Sequence, residues 1–175
     1  MSGGSAEGMP LCSTEAFDDA ARARVAAALP GTDVEAMGLL LNLIRMANRV
    51  VQDLETNVHQ PLGLSWAGFR ILFTLFVLGS LEQHDLARYS GVSRAAASSV
   101  LATLQRDALV ARQRSTTDRR MVVVGLTPAG RRLVTRAYAA QRQREPGWVA
   151  PLDADQRRSL DALLRTLLAH HPEEA

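Results

Sequence analysis

The 175-residue chain predicts a mainly α-helical fold carrying one small β-hairpin. Three observations lead there. Apolar residues return at three- and four-residue steps over most of the length. Two runs rich in β-formers, LVARQR (109–114) and MVVVGL (121–126), flank the polar turn Ser115-Thr116-Thr117-Asp118. Ser, Thr or Asp precedes most helical segments, and Gly or Pro comes after several.

At the N-terminus, residues 1–13 are small, polar and Gly-rich and read as a disordered tail. A short helix over 14–29 ends at Pro30-Gly31, which closes an N-terminal part, 1–31. Thr32-Asp33-Val34-Glu35 has capping-box spacing and opens a long helix. Met37, Leu40, Ile44, Ala47, Val51, Leu54 and Val58 form its apolar seam, and Leu39, Leu41, Leu43 and Val50 add a second face. Two apolar faces need two partners, and a second subunit is expected to supply one. Gln60-Pro61-Leu62-Gly63 breaks this helix, and Ser65 caps the apolar core helix WAGFRILFTLFVLG. Ser80-Leu81-Glu82-Gln83 reads as another capping box, opening EQHDLARYS. After Gly91, Ser93 opens a helix to about Asp107. The hairpin comes next. Thr127-Pro128 starts a helix expected to stop at Pro146-Gly147. Asp153 and Gln156 cap a last helix with Leu160, Leu163, Leu164, Leu167 and Leu168 on one face.

Composition removes several function classes. Hydrophobic content of 47% with 22% charged residues fits an ordinary soluble domain. A single cysteine, Cys12, excludes an internal disulfide framework and a Cys-rich zinc site. It has no basic neighbour to lower its pKa, so it reads as an incidental thiol. The four histidines show no helical i, i+4 pairing, so neither metal nor cofactor is expected. MSGGSAEGMP lacks the features of a signal peptide, and ILFTLFVLG (71–79) is too short to span a bilayer. A cytoplasmic protein without membrane attachment is expected.

All 20 basic residues are Arg, and they are unevenly placed. Residues 88–144 hold 12 Arg against Asp107 and Asp118, a net +10, whereas the segments on either side are net acidic. Such a block is the footprint of a surface that binds a polyanion.

GVSRA (91–95) lies inside that block and resembles the start of a nucleophile elbow, G-x-S-x-G. An elbow needs a buried strand before its serine. Here a polar helix precedes, Ala95 stands where Gly is required, and no histidine is well placed as a base. A serine-hydrolase-like enzyme is therefore the weaker reading. The stronger one joins helix 82–89, a turn at Gly91 and helix 93–107 into a helix-turn-helix whose second helix enters the major groove. Ala97, Val100, Leu101 and Leu104 face inward. Ser93, Arg94, Ala96, Ser98, Ser99 and Thr103 are candidate DNA contacts, and small residues allow close approach. The hairpin becomes a wing, with Arg114, Asp118, Arg119 and Arg120 at or near its tip.

DLARYSGVSRAAASSVLATLQRDALVAR and DRRMVVVGLTPAG resemble the MarR family of multiple antibiotic resistance regulators. The similarity tracks element order over roughly 35–170 and is most specific in 84–130. Ala108 departs from the family's usual glycine, and a positive φ there would strain it. The resemblance implies a winged helix-turn-helix lobe (61–127) plus a helical dimerisation region (32–60 and 128–172). It implies a homodimeric regulator, more often a repressor, on a palindromic double-stranded operator. It places the wing arginine at Arg120, held by Asp118. It also implies a crevice for a small aromatic or phenolic effector, with Arg49, His59, Trp66, Phe69 and Arg70 as candidate lining. A winged helix module that binds protein instead of DNA is the alternative.

Overall fold

The computed structural model describes residues 14–114 and 122–170. The chain forms two compact units that divide between Arg49 and Val50. In the first unit, helix α1 (Thr14–Ala28) precedes the long helix α2 (Val34–Leu54). Arg22 Nη1 donates to the Val34 carbonyl at 2.7 Å. Arg45 pairs with Asp18 and covers the Phe17 ring at 4.6 Å. The capping-box expectation at Thr32 is corrected. Asp33 Oδ1 accepts from the amides of Glu35 and Ala36 at 3.1 and 2.9 Å, while the Thr32 hydroxyl donates to Leu29 O. A carboxylate at the cap also meets the positive end of the helix dipole, which favours it over a hydroxyl.

The second unit opens at Val50, within α2. The break expected over Gln60-Pro61-Leu62-Gly63 takes the form of a graded ending. The helix widens to a π turn at Glu55–His59, tightens to a 3₁₀ turn at Gln60–Leu62, and stops at Gly63 with φ 74°. Pro61 offers no amide, which prevents the α ladder from continuing. Core helix α3 (Trp66–Leu78) comes next. Ser65 Oγ accepts from Gly68 N at 3.0 Å, and Glu55 Oε1 accepts from Trp66 N at 3.1 Å.

Helix α4 (Gln83–Ser90) does not use a capping box at Ser80. Leu81 pairs with Val124 through two backbone hydrogen bonds of 3.0 and 2.8 Å, and Ser80 Oγ accepts from Gln113 Nε2. Tertiary pairing to the hairpin outweighs the local cap. Helix α5 (Arg94–Arg106) leads to strands β1 (Val110–Arg114) and β2 (Val122–Leu126), antiparallel with Arg112 opposite Val124.

Helix α6 (Pro128–Val149) runs through Pro146-Gly147 instead of stopping there. Its last turn is anchored from outside, because Arg144 and Trp148 both donate to Asp53. Helix α7 (Ala154–Ala169) has the expected capping box, with Asp153 and Gln156 bonded reciprocally.

One core joins α3 to the helix-turn-helix and the hairpin. Ile71, Leu72 and Leu75 of α3 cluster with Leu86, Ala97, Leu101, Leu104, Val110, Val124, Val134 and Ala137. Burying these side chains is the main stabilisation of the lobe, at about 1.5–3 kcal/mol for each large aliphatic group. Apolar faces remain elsewhere. Leu39, Leu40 and Ile44 of α2 are exposed, as are Leu160, Leu163, Leu167 and Leu168 of α7, with Leu168 at 80%.

Candidate nucleic-acid interface

The turn between α4 and α5 is fixed from three directions. Gly91 adopts the left-handed conformation at φ 62°, and its amide donates to the Arg88 carbonyl at 3.2 Å. The Arg70 guanidinium lies against Gly91, where a Cβ would collide with it. Ser93 then caps α5, its Oγ accepting from Ala96 N at 3.2 Å. Ser93 is therefore engaged as a helix cap and comes after a helix, not a strand, so it forms no nucleophile elbow.

Inward, Ala97, Leu101 and Leu104 are buried and Val100 is half-buried. Outward, Arg94, Ala96, Ser98, Ser99, Thr103 and Arg106 are all exposed, together with Ala95 and Ala102. Most side chains on this face are small, so the α5 backbone can approach a partner closely. Its two flanks differ. Ser99 and Thr103 border a notch with Gly63 and Ser65 ahead of α3, whereas Arg94 borders the concavity between the helix-turn-helix and the hairpin.

That concavity, about 570 Å³, is lined by Gln83, His84, Arg94, Arg112, Val122 and others. Arg112 is held there by two amides, with Nε donating to Gln105 Oε1 at 3.3 Å and Nη2 to Gln83 Oε1 at 3.1 Å. Neither Arg94 nor Arg112 forms an ion pair among the described residues. Arg88, by contrast, is paired with Asp85 at 2.8 Å, and Arg106 meets Asp107 at 3.4 Å. Sequence reasoning placed Arg114 at the interface and missed Arg112. Strand alternation was the available signal, since residues two apart share a face. Arg114 is exposed at the end of β1. Asp118, Arg119 and Arg120 lie outside the described residues, as does Cys12.

The candidate effector residues separate. His59 is fully buried and stacks on Phe69 at 4.2 Å, with Trp66 at 5.4 Å. Among the described residues, both ring nitrogens lack a hydrogen bond, and so does the buried Oε1 of Gln141. Burial pushes the imidazole pKa down, while Gln141 and Glu55 act in the opposite direction. The Arg70 guanidinium lies at the Gly91 turn. As a long polar side chain on an otherwise apolar helix, it carries its guanidinium to the edge of the core. Arg49 is exposed on α2 and belongs to the other unit.

The sequence profile of the MarR family matches residues 64–122, from the start of α3 to the start of β2. The uncharacterised HTH-type transcriptional regulator YwaE of Bacillus subtilis is 35% identical over 133 residues, covering 76% of this chain and 78% of that protein. This chain belongs to the MarR family. Among solved MarR-type structures, the transcriptional repressor CouR bound to a 23-mer DNA duplex is similar at 30% identity and a TM-score of 0.65, covering 73% of this chain and 89% of that one. BpsR of Bordetella bronchiseptica, whose DNA binding is regulated by 6-hydroxynicotinic acid, is 27% identical with a TM-score of 0.65, over 75% of this chain and 98% of that one. A MarR regulator does not belong to an enzyme family, and the winged helix-turn-helix expected from the sequence is the fold observed. Among the described residues no single helix is long and apolar enough to cross a membrane.

Proposed function

We propose that this MarR-family protein is a transcriptional repressor that binds a palindromic double-stranded operator as a homodimer. The exposed face of α5 carries the reading. It joins small side chains to Arg94 and Ser98, inside a segment with a net charge of +10. Arg94 and Ser98 read base edges. Ser99, Thr103 and the Ala96 backbone face the duplex beside them, Ser93 fixes the helix start, and Arg114 with the wing residues Asp118, Arg119 and Arg120 holds the adjacent groove. Residues 61–127 form the DNA-binding lobe in this reading, and 32–60 with 128–172 the dimerisation region. The exposed leucines of α2 and α7 are the surfaces a partner subunit covers, because apolar patches of this kind are costly in water.

A small aromatic acid is the effector class we favour. BpsR answers to such a compound, and the His59–Trp66–Phe69 stack offers aromatic faces beside the lobe. A cytoplasmic location fits this role.

Selection of bound duplexes from a random pool tests the reading. The expected product is an inverted repeat with half-site centres about 10 bp apart. Affinity should fall with salt at a log–log slope of at least about 5 in magnitude, since each neutralised phosphate contributes about 0.9. Enrichment of no sequence, or equal affinity for a lone half-site, overturns it. Sedimentation adds an independent arm. Leu164→Asp should yield monomer or aggregate without operator binding, whereas a well-folded wild-type monomer at micromolar concentration refutes the dimer.

A further inference from the structure

We propose that His59 is a proton switch, whose charging loosens the junction of α2, α3 and α6 and lowers operator affinity. The inference rests on the DNA-binding reading and gives it a regulation. His59 is 0% exposed, yet neither ring nitrogen has a hydrogen-bond partner among the described residues. Burying a polar ring without partners costs free energy, and a phenylalanine would stack there without that cost. A histidine in such a place is suited to answer protons near neutral pH.

Its surroundings make the charge consequential. Phe69 and Trp66 of α3 cover the ring at 4.2 and 5.4 Å. Helix α6 contributes the buried, unbonded Oε1 of Gln141, whose Nε2 is committed to Glu145 at 2.9 Å. Of the charged groups around this junction, Asp53 is bonded to Arg144, and Arg70 lies at the Gly91 turn. Glu55, on the same π turn, is the carboxylate left to meet an imidazolium. It is already engaged, because its Oε1 accepts from the amide of Trp66, the first residue of α3. A protonated His59 competes for that carboxylate, so the proton is felt at the start of the core helix. One turn further on, the same helix braces the helix-turn-helix through Arg70. Burial opposes the charge while Gln141 and Glu55 favour it, a balance that two states require. Glu55 is therefore a positioning residue that sets where the switch moves.

Titration of the selected duplex between about pH 7.5 and pH 5, at fixed ionic strength, tests this. Wild type, His59→Phe and Glu55→Gln are compared, with near-ultraviolet circular dichroism verifying the fold at each pH. Wild-type Kd should rise on acidification, its logarithm steepening toward a slope of about 2 per dimer, one proton per subunit. His59→Phe should remove that rise while keeping the affinity at pH 7.5. Glu55→Gln retains an acceptor for the Trp66 amide and should move the rise to lower pH. Differences from His59→Phe are read, because the interface histidine His84 is common to all three proteins. His59→Gln, neutral at every pH, stands in if the phenylalanine variant does not fold. An equal pH dependence with and without His59 overturns the proposal, as does a loss of affinity that coincides with global unfolding. An unmoved Glu55→Gln profile removes the positioning role. Absence of operator binding by wild type at pH 7.5 is instead a failure of the repressor reading, which separates the two.

Discussion

Asp53 receives the guanidinium of Arg144 from 91 positions away in the sequence, with Nε at 2.9 Å from Oδ2. Trp148 Nε1 and Asn57 Nδ2 donate to the same carboxylate at 2.9 and 2.7 Å. These hydrogen bonds, the one from Arg144 foremost, hold its pKa at about 2 against an ordinary 3.8. A carboxyl with a depressed folded-state pKa stabilises the fold above its unfolded value, and that contribution is lost as pH falls through the folded one. Wild type should therefore lose stability between about pH 4 and pH 2 through this group. Asp53→Asn should flatten that part of the curve, read as denaturant midpoint against pH. Parallel curves for the two proteins would remove Asp53 from the acid response.

His59 titrates in a higher window. Burial lowers its pKa below the ordinary 6.5, so the folded state holds the neutral ring. Its contribution is complete above pH 6.5 and declines as pH falls below that value through the folded pKa. We expect urea midpoints to decrease from pH 7.5 to pH 5.5, and His59→Phe, which keeps the stack on Phe69, to show a shallower decrease. An equally steep curve in His59→Phe would assign the effect elsewhere.

Gly130 and Ala108 respond oppositely to gaining or losing a methyl group. A Cβ on Gly130 would run into the Leu109 carbonyl, so Gly130→Ala should destabilise by about 1–3 kcal/mol, as overpacking commonly does. Ala108 sits at φ 54°, a left-handed conformation costing an L-residue roughly 1–2 kcal/mol. Thr127 Oγ1, donating to Ala108 O at 2.8 Å, helps to hold it there. Ala108→Gly should raise stability by up to about 1 kcal/mol, the relief being partly offset by a freer unfolded chain. Thermal melts of the two variants decide both signs.

Local chemistry made much of this legible. Ser65, Thr127 and Asp153 act as the caps their positions suggested, and the α5 inner face is Ala97, Leu101 and Leu104 as periodicity required. Failures occurred where a distant group won. Ser80 was taken by Gln113 and Leu81 by Val124, contacts more than 30 residues away that no local pattern encodes. Pro146 ends no helix because Asp53 holds the turn beyond it. Arg112 was overlooked for a similar reason, since its significance depends on Gln83 and Gln105, which are remote from each other in sequence.

Helix α5 and the wing predict different binding phenotypes. Arg94→Ala and Ser98→Ala should lose discrimination between the selected operator and a scrambled duplex, at about 1–3 kcal/mol for each lost base contact. Arg114→Ala and Arg120→Ala should instead weaken binding to both duplexes alike. Competition titrations of both duplexes distinguish the classes. Unchanged operator preference in both Arg94→Ala and Ser98→Ala would remove α5 as the reading helix.

The π turn at Glu55–His59 holds one residue more than an α-helical turn would need. It thus works as a phase shifter between the end of α2 and the approach to α3. Upstream stands Asp53, bonded to Arg144; the last residue of the turn itself is His59, stacked on Phe69. Removing a single residue from the turn would rotate one against the other by about 100°, the angular step of an α-helix. Both anchors could not then be met at once. Lineages carrying this pair of anchors should tolerate substitutions in the segment far more readily than a change in its length.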